Sequence, residues 1–120
     1  MFSMDDPRHR AAVDAANMLA EIDGLPNQLA RGWTWGQNWP LPAGPQPRAL
    51  VVAGMGGSAI AADLLQGYAQ PYLSIPYVVW RDYGLPAWAQ GPEVWVVASS
   101  HSGNTEETLS AARAAHTRGC

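Results

Sequence analysis

Residues 49–58 read Ala-Leu-Val-Val-Ala-Gly-Met-Gly-Gly-Ser, an apolar run that ends in a glycine-rich turn. Two further apolar runs follow, at residues 77–80 (Tyr-Val-Val-Trp) and 94–98 (Val-Trp-Val-Val-Ala). Near-continuous apolar runs rich in valine are typical of strands that are buried on both faces of a parallel sheet. The pattern therefore predicts three strands of this kind.

Helix-like stretches follow the first and third runs, at residues 58–66 and 105–117, and both are rich in alanine. The order strand, helix, strand, strand, helix predicts an α/β fold, a flavodoxin-like three-layer arrangement around a parallel sheet with right-handed crossovers. Because such a sheet commonly has five strands, we expect a truncated fold with an open edge at the third strand or its neighbour. Either the chain is a fragment or a partner covers that edge, and we favour a fragment.

Residues 1–47 predict a helical segment and a connector. Asp6 before Pro7 marks a helix start, since the carboxylate can accept backbone N–H groups and proline suits the first turn. An apolar stripe at helical spacing then extends this helix to about Gly24, and a second short helix is expected to follow Pro26, through Leu29. The stripe consists of Ala15, Met18, Leu19 and Ile22.

The connector, residues 36–47, contains four prolines and two glycines, which predict an irregular segment. Trp33, Trp35 and Trp39 lie at its start, and we expect them to cover the edge of a core rather than to form a ligand platform.

Composition excludes some classes of protein. The formal net charge is -3 with only 7 Lys and Arg, so no basic surface for nucleic acid is expected. No apolar stretch approaches the roughly 20 residues needed to cross a bilayer, and the N-terminus lacks a secretory signal pattern. The single cysteine, Cys120, cannot form an internal disulfide and is expected to be exposed. We therefore expect a cytoplasmic protein that binds neither nucleic acid nor membranes.

The turn after the first strand, residues 54–58, has the features of an anion site. In open α/β sheets such turns lie at the carboxyl edge, where ligands bind. Glycines let the backbone approach an anion, the next helix presents unpaired N–H groups, and Ser58 adds a hydroxyl. A dinucleotide pattern, Gly-x-Gly-x-x-Gly/Ala, also fits Gly54, Gly56 and Ala59, with Asp82 as its acidic residue. This turn alone is compatible with either a small anion or a dinucleotide.

A second polar turn favours a phosphate over a dinucleotide. Residues 99–108 read Ser-Ser-His-Ser-Gly-Asn-Thr-Glu-Glu-Thr, which places several hydroxyl and amide donors around one glycine at a helix start. A nicotinamide site has no particular need for this cluster. Asn104 with Glu107 also fits a capping box, which explains these two residues but not the serines.

Charged and titratable residues near the two turns have ordinary interpretations. Glu106 and Glu107 are expected on the first turn of the helix, where carboxylates favour the helix dipole. Arg81 is expected to pair with Asp82 or with the sheet edge. We expect His101 to face solvent rather than to act as an acid or a base.

These segments resemble the bifunctional phosphoglucose/phosphomannose isomerases, a family built from two SIS (sugar isomerase) domains. The resemblance rests on residues 54–65 (Gly-Met-Gly-Gly-Ser-Ala-Ile-Ala-Ala-Asp-Leu-Leu), 81–86 (Arg-Asp-Tyr-Gly-Leu-Pro) and 102–109 (Ser-Gly-Asn-Thr-Glu-Glu-Thr-Leu). His101 departs from the family, in which tyrosine or another residue with little chemical role is expected at this position. On this interpretation residues 48–120 are the N-terminal part of a SIS domain.

The resemblance implies an aldose-ketose isomerase that interconverts glucose 6-phosphate or mannose 6-phosphate with fructose 6-phosphate through an enediol, with no cofactor and no metal. It implies that residues of both turns bind the substrate phosphate: Gly56, Gly57, Ser58, Ser100, Ser102, Gly103, Asn104 and Thr105. No catalytic residue is assigned, because the family's base, acid, lysine and arginine come from later in the chain, so this chain alone is expected to be inactive.

The expected partners are a sugar phosphate, a second SIS domain and, in a full-length parent, a second subunit of a homodimer. The alternative is a non-catalytic SIS module that senses a phosphosugar. In regulators of that kind a DNA-reading helix-turn-helix precedes the SIS domain. The N-terminal segment of this chain has few basic residues, which disfavours DNA reading.

Overall fold

A computed structural model of the chain describes residue 3, residues 5–41 and residues 43–120. Met1, Phe2, Met4 and Pro42 lie outside the described residues, and with them a part of the predicted connector. The chain divides into two compact units, residues 1–42 and residues 43–120. The boundary expected from the sequence, between residues 47 and 48, lies a few residues further along the same connector.

The second unit contains the α/β fold. In chain order its elements are β1 (Ala49–Gly54), α4 (Gly56–Ala69), β2 (Tyr77–Trp80), β3 (Val94–Ser99) and α5 (Glu106–Arg118). The three strands form a parallel sheet in the order β2-β1-β3. The sequence prediction of a three-stranded parallel α/β fold is therefore confirmed, and both helices lie where the alanine-rich stretches predicted them.

Alternation of side chains along β1 builds a three-layer arrangement. On one face, Val51 and Ala53 are buried against Ala111 and Ala115 of α5. On the other face, Leu50 and Val52 line a groove together with α4 residues that include Ala62 and Leu65. The alanines of both helices allow close approach to the sheet. The two helices thus cover opposite faces of β1.

The third strand is less covered than the sequence predicted. Val94 has an exposed fraction of 0%, whereas Val97 on the same strand is 49% exposed. Helix α5 packs on β1 and β3, whereas α4 packs on β1 and β2. Val97, on the α4 side of the sheet, therefore lines an open groove beside α4. Burial on both faces is therefore confirmed for β1 and wrong for β3.

Cys120 differs from its expected exposure. Its side chain is partly buried and packs against the cluster that contains Val94 and Ala115. The backbone N–H of Cys120 donates to the carbonyl of Ala115 at 3.0 Å, and Gly119 ends α5 in the left-handed conformation. This end of the helix directs the last residue back onto the core.

The first unit contains α1 (Pro7–Val13), α2 (Met18–Asp23) and α3 (Leu25–Asn38). Asp6 caps α1 as predicted, because its side chain accepts the N–H of Arg8 at 2.9 Å. The prediction of one helix to about Gly24 is wrong. Asp14 stops it, since its carboxylate accepts the N–H groups of Met18 at 2.6 Å and Leu19 at 2.9 Å and so starts a new helix.

The third helix runs further than the sequence predicted, to Asn38, so residues 36–38 are helical and not connector. Two side-chain contacts lie along its last turns: the Thr34 hydroxyl donates to the carbonyl of Ala30 at 3.0 Å, and the Arg31 guanidinium lies 5.3 Å from the ring centre of Trp35. The predicted packing of the tryptophans is not observed. Their exposed fractions are 64–72%, for Trp33, Trp35 and Trp39.

No helix among the described residues is long and apolar enough to span a membrane.

The contrast between Val94 and Val97 makes a testable prediction about the core. We expect Val94→Ala to lower the free energy of unfolding by about 1–3 kcal/mol, because it removes two buried methyl groups and leaves a cavity. Val97→Ala, the matched change on the same strand, should lower it by less than about half as much because Val97 is already half exposed. Urea unfolding of both variants measures the difference, and equal losses would contradict the assigned core.

Candidate functional site

Parallel pairing of β1 with β3 brings the two polar turns together. Gly54, the last residue of β1, lies opposite Ser99, the last residue of β3. Both strands therefore end at the same edge of the sheet. The turn into α4 and residues 100–105 leave this edge side by side, as expected for a ligand site in an open α/β sheet.

Two hydrogen bonds join the turns directly. The backbone N–H of His101 donates to the Ser58 hydroxyl oxygen at 3.2 Å. The Ser99 hydroxyl donates to the Ser58 carbonyl at 3.3 Å. Ser58 thus contacts the second turn through both its side chain and its backbone. The His101 side chain is exposed, as the sequence predicted.

Three hydroxyls of the second turn form a cluster. The Ser100 oxygen lies 3.1 Å from that of Thr105 and 3.4 Å from that of Ser102. The N–H of Gly103 donates to the Ser100 oxygen at 3.1 Å, and the N–H of Asn104 donates to the Ser102 oxygen at 3.2 Å. Gly103 has a φ of +71°, a conformation that L side chains rarely adopt. The turn therefore depends on glycine for its shape.

The start of α4 lies at the same edge. This helix begins at Gly56, two residues before the predicted start, and Gly56 and Gly57 are both exposed. The N–H groups of a first helical turn have no partner within the helix and carry a partial positive charge. Since neither glycine has a side chain, an anion can approach this backbone closely.

The structure thus collects the eight predicted site residues on two adjacent turns. The Ser100 hydroxyl bonds to those of Ser102 and Thr105, whereas the Ser58 hydroxyl bonds to the backbone of His101 instead of to this cluster. Asn104 contributes its backbone N–H. Hydroxyls and N–H groups collected at one edge of the sheet suit a small anion whose charge is shared among many donors.

The predicted capping box is wrong. The N-cap of α5 is Thr105, one residue later than expected, and no side-chain bond caps this end. Glu106 and Glu107 are on the first turn, as predicted. The shift by one residue places the Thr105 hydroxyl in the cluster with Ser100 and leaves Asn104 in the loop.

Arg81 and Asp82 have partners that the sequence did not specify. The Arg81 guanidinium pairs with the carboxylate of Asp63 on α4, not with Asp82. The Asp82 carboxylate accepts the N–H of Tyr83 at 2.7 Å. Both residues therefore hold the chain that leaves β2, and the Arg81 charge is matched by Asp63.

Sequence reasoning missed Tyr83, which reaches the start of α5. Its hydroxyl donates to the Glu106 carboxylate at 3.0 Å. The neighbouring N–H of Gly84 donates to the Ser110 hydroxyl at 3.0 Å. These bonds tie the segment after β2 to α5. No local pattern signals them, because they join residues 23 and 26 positions apart.

The pKa of Tyr83 is raised above its usual 10.0. The largest cause is the hydrogen bond to Glu106, and the second is the negative charge of that carboxylate. A raised pKa means that folding favours the neutral phenol. The contribution of this bond to stability is therefore complete below about pH 10 and is lost as the pH rises through the raised pKa.

An ultraviolet titration tests this assignment. The difference in phenolate absorbance between the wild-type chain and Tyr83→Phe should show a midpoint above 10.0. In a Glu106→Gln background that midpoint should fall towards 10.0, since the accepting charge is gone. Glu107→Gln is the matched control and should lower it less. An unchanged midpoint in Glu106→Gln would contradict the bond.

Three curated relatives match the chain, and each is named as a bifunctional phosphoglucose/phosphomannose isomerase. The protein from Caldicellulosiruptor bescii is 39% identical over 103 residues, which cover 85% of this chain and 30% of the relative. The protein from Thermoplasma acidophilum is 44% identical over 70 residues, 58% of this chain and 21% of the relative. The protein from Thermoplasma volcanium is 39% identical over 66 residues, 55% of this chain and 20% of the relative.

No protein-family model and no solved structure matches the chain. The chain spans 30% or less of the length of these relatives. It is therefore similar to one part of these sugar-phosphate isomerases. The similarity to the Caldicellulosiruptor bescii protein covers most of this chain.

Proposed function

We propose that this chain is a phosphosugar-binding part of an aldose-ketose isomerase of the SIS type, which interconverts glucose 6-phosphate or mannose 6-phosphate with fructose 6-phosphate. The observation that carries the proposal is the hydroxyl cluster of Ser100, Ser102 and Thr105 beside the exposed start of α4. The names of the three relatives support the same substrate class.

The phosphate group is the part of the substrate that this site suits. Its terminal oxygens are strong acceptors, and hydroxyls and backbone N–H groups are donors at the carboxyl edge. In the free site the Ser100 hydroxyl bonds to those of Ser102 and Thr105. Rotation about their C–O bonds lets them donate to a bound phosphate instead. The N–H groups of Gly56 and Gly57 supply donors from the other side.

The remaining chemistry is proposed to come from outside this chain. Moving a proton between C1 and C2 requires a carboxylate base, an acid for ring opening and a cation near the developing oxyanion. Around the described site, Glu106 bonds to Tyr83 and Arg81 pairs with Asp63. These groups already have structural partners, so we expect binding without isomerisation. The chain spans 30% or less of each relative, and we propose that residues of such a further region would fill these roles.

We also propose that further polypeptide packs on β3. On one side β3 pairs with β1, and Val97 beside α4 is 49% exposed. A further strand and helix would bury the groove formed by Leu50, Val52, Leu65 and Val97. In a full-length isomerase, a second SIS domain and a second subunit would complete the assembly. A cytoplasmic location fits this assignment.

Calorimetric titration with glucose 6-phosphate and fructose 6-phosphate tests the binding proposal. We expect the wild-type chain to bind both and Ser102→Ala to bind about tenfold more weakly, because one hydrogen bond to a charged group is lost. Ser74→Ala is the matched control, since Ser74 is an exposed serine before β2, at the opposite end of the strands. It should bind like the wild-type chain.

NAD in the same assay separates the two ligand classes. Binding of NAD in place of the sugar phosphates, or equal affinities for Ser102→Ala and Ser74→Ala, would contradict the phosphosugar assignment. Isomerisation by the isolated chain would contradict the proposal that catalytic groups lie outside it. Glucose itself should not bind, because it has no phosphate.

A further inference from the structure

Close approach of the ends of β1 and β3 fixes the distance between the two turns. A Cβ atom on Gly54 would lie 2.9 Å from the Ser99 carbonyl oxygen, 3.5 Å from its Cβ and 3.6 Å from the Ala59 nitrogen. Contacts of 2.9 Å are shorter than real Cβ atoms make, and the nearest atom belongs to backbone. Any side chain at residue 54 must therefore push the end of β3 or the start of α4 away.

Ser99 joins the end of β3 to the start of α4 through a hydrogen bond. Its hydroxyl donates to the Ser58 carbonyl at 3.3 Å and is partly buried. The Ser58 hydroxyl in turn accepts the N–H of His101 at 3.2 Å. The bond from Ser99 thus ends at the backbone of Ser58, and the bond from His101 ends at the Ser58 side chain. Together they hold the first turn of α4 against residues 99–101.

Neither Gly54 nor Ser99 belongs to the hydroxyl cluster. Gly54 is buried and has no side chain, and the Ser99 hydroxyl donates to the carbonyl of Ser58. The donors proposed for phosphate lie on either side of them, on the start of α4 and on residues 100–105. The separation of those two donor sets depends on this contact.

We propose that Gly54 and Ser99 are positioning residues, which set the spacing between the donors of α4 and the hydroxyl cluster so that one phosphate can contact both. This inference rests on the proposed function. An anion that must bond to two rigid elements is sensitive to displacements of less than an ångström, because hydrogen bonds weaken steeply beyond their normal length. Losing the hydrogen bond from Ser99 to Ser58 therefore lowers the affinity for the sugar phosphate, although no contact with the phosphate itself is removed.

The test compares glucose 6-phosphate affinities of Ser99 variants by calorimetry. We expect Ser99→Ala to bind about three- to tenfold more weakly than the wild-type chain, because one bridging bond is lost. Ser99→Thr keeps the hydroxyl and suits a strand, so it should restore most of the affinity. Gly54→Ala should bind more weakly than Ser99→Ala. If Gly54→Ala does not fold, the two Ser99 variants still decide the question.

Two controls separate positioning from general stability. Val94→Ala destabilises the core of the same strand and should leave the affinity unchanged at a temperature where it is fully folded. Amide hydrogen exchange gives a readout that needs no ligand: the His101 N–H should exchange faster in Ser99→Ala and recover in Ser99→Thr. Val94→Ala should not change this exchange beyond its effect on global unfolding.

The outcomes distinguish this inference from the function on which it rests. If Ser102→Ala binds weakly but Ser99→Ala binds like the wild-type chain, the positioning role is wrong and the phosphosugar site stands. Equal losses in Ser99→Ala and Val94→Ala would also overturn the positioning role. If the wild-type chain binds no sugar phosphate, both proposals are overturned.

Discussion

Backbone pairing between β1 and β3 is the constraint on which the candidate site depends. In a parallel pair both strands end at the same edge, so the residues that follow them become neighbours. Gly54 lies opposite Ser99 in this pairing. The glycine-rich turn and the hydroxyl-rich turn, which are separated by more than 40 residues of sequence, meet for this reason.

The buried side of this pairing is small and well packed. Val51 and Val94 are fully buried in one cluster with Ala111 and Ala115 of α5. The other side of β3 is less covered, with Val97 half exposed. One face of β3 therefore belongs to the core of the unit, while the other offers an apolar surface that is available for packing.

The sequence predicted the strands because their apolar runs are unambiguous, and it predicted both turns because glycine and hydroxyl residues follow those runs directly. It failed where one side chain overrides a periodic pattern. The Asp14 carboxylate accepts the first N–H groups of a new helix inside an apolar stripe, and Thr105 replaces Asn104 as the N-cap of α5. It also missed contacts that depend on the path of a connection, such as the bond from Tyr83 to Glu106 and the pairing of Arg81 with Asp63.

An amide NMR titration of the chain with glucose 6-phosphate tests the central claim most directly, since it reports on both turns at once. If one phosphate bridges them, the largest shifts should occur together at residues 56–58 and 100–105, with one common dissociation constant. Shifts at one turn alone, or shifts centred near Asp82 with NAD and not with the sugar phosphate, would contradict a shared phosphate site at the carboxyl edge of the sheet.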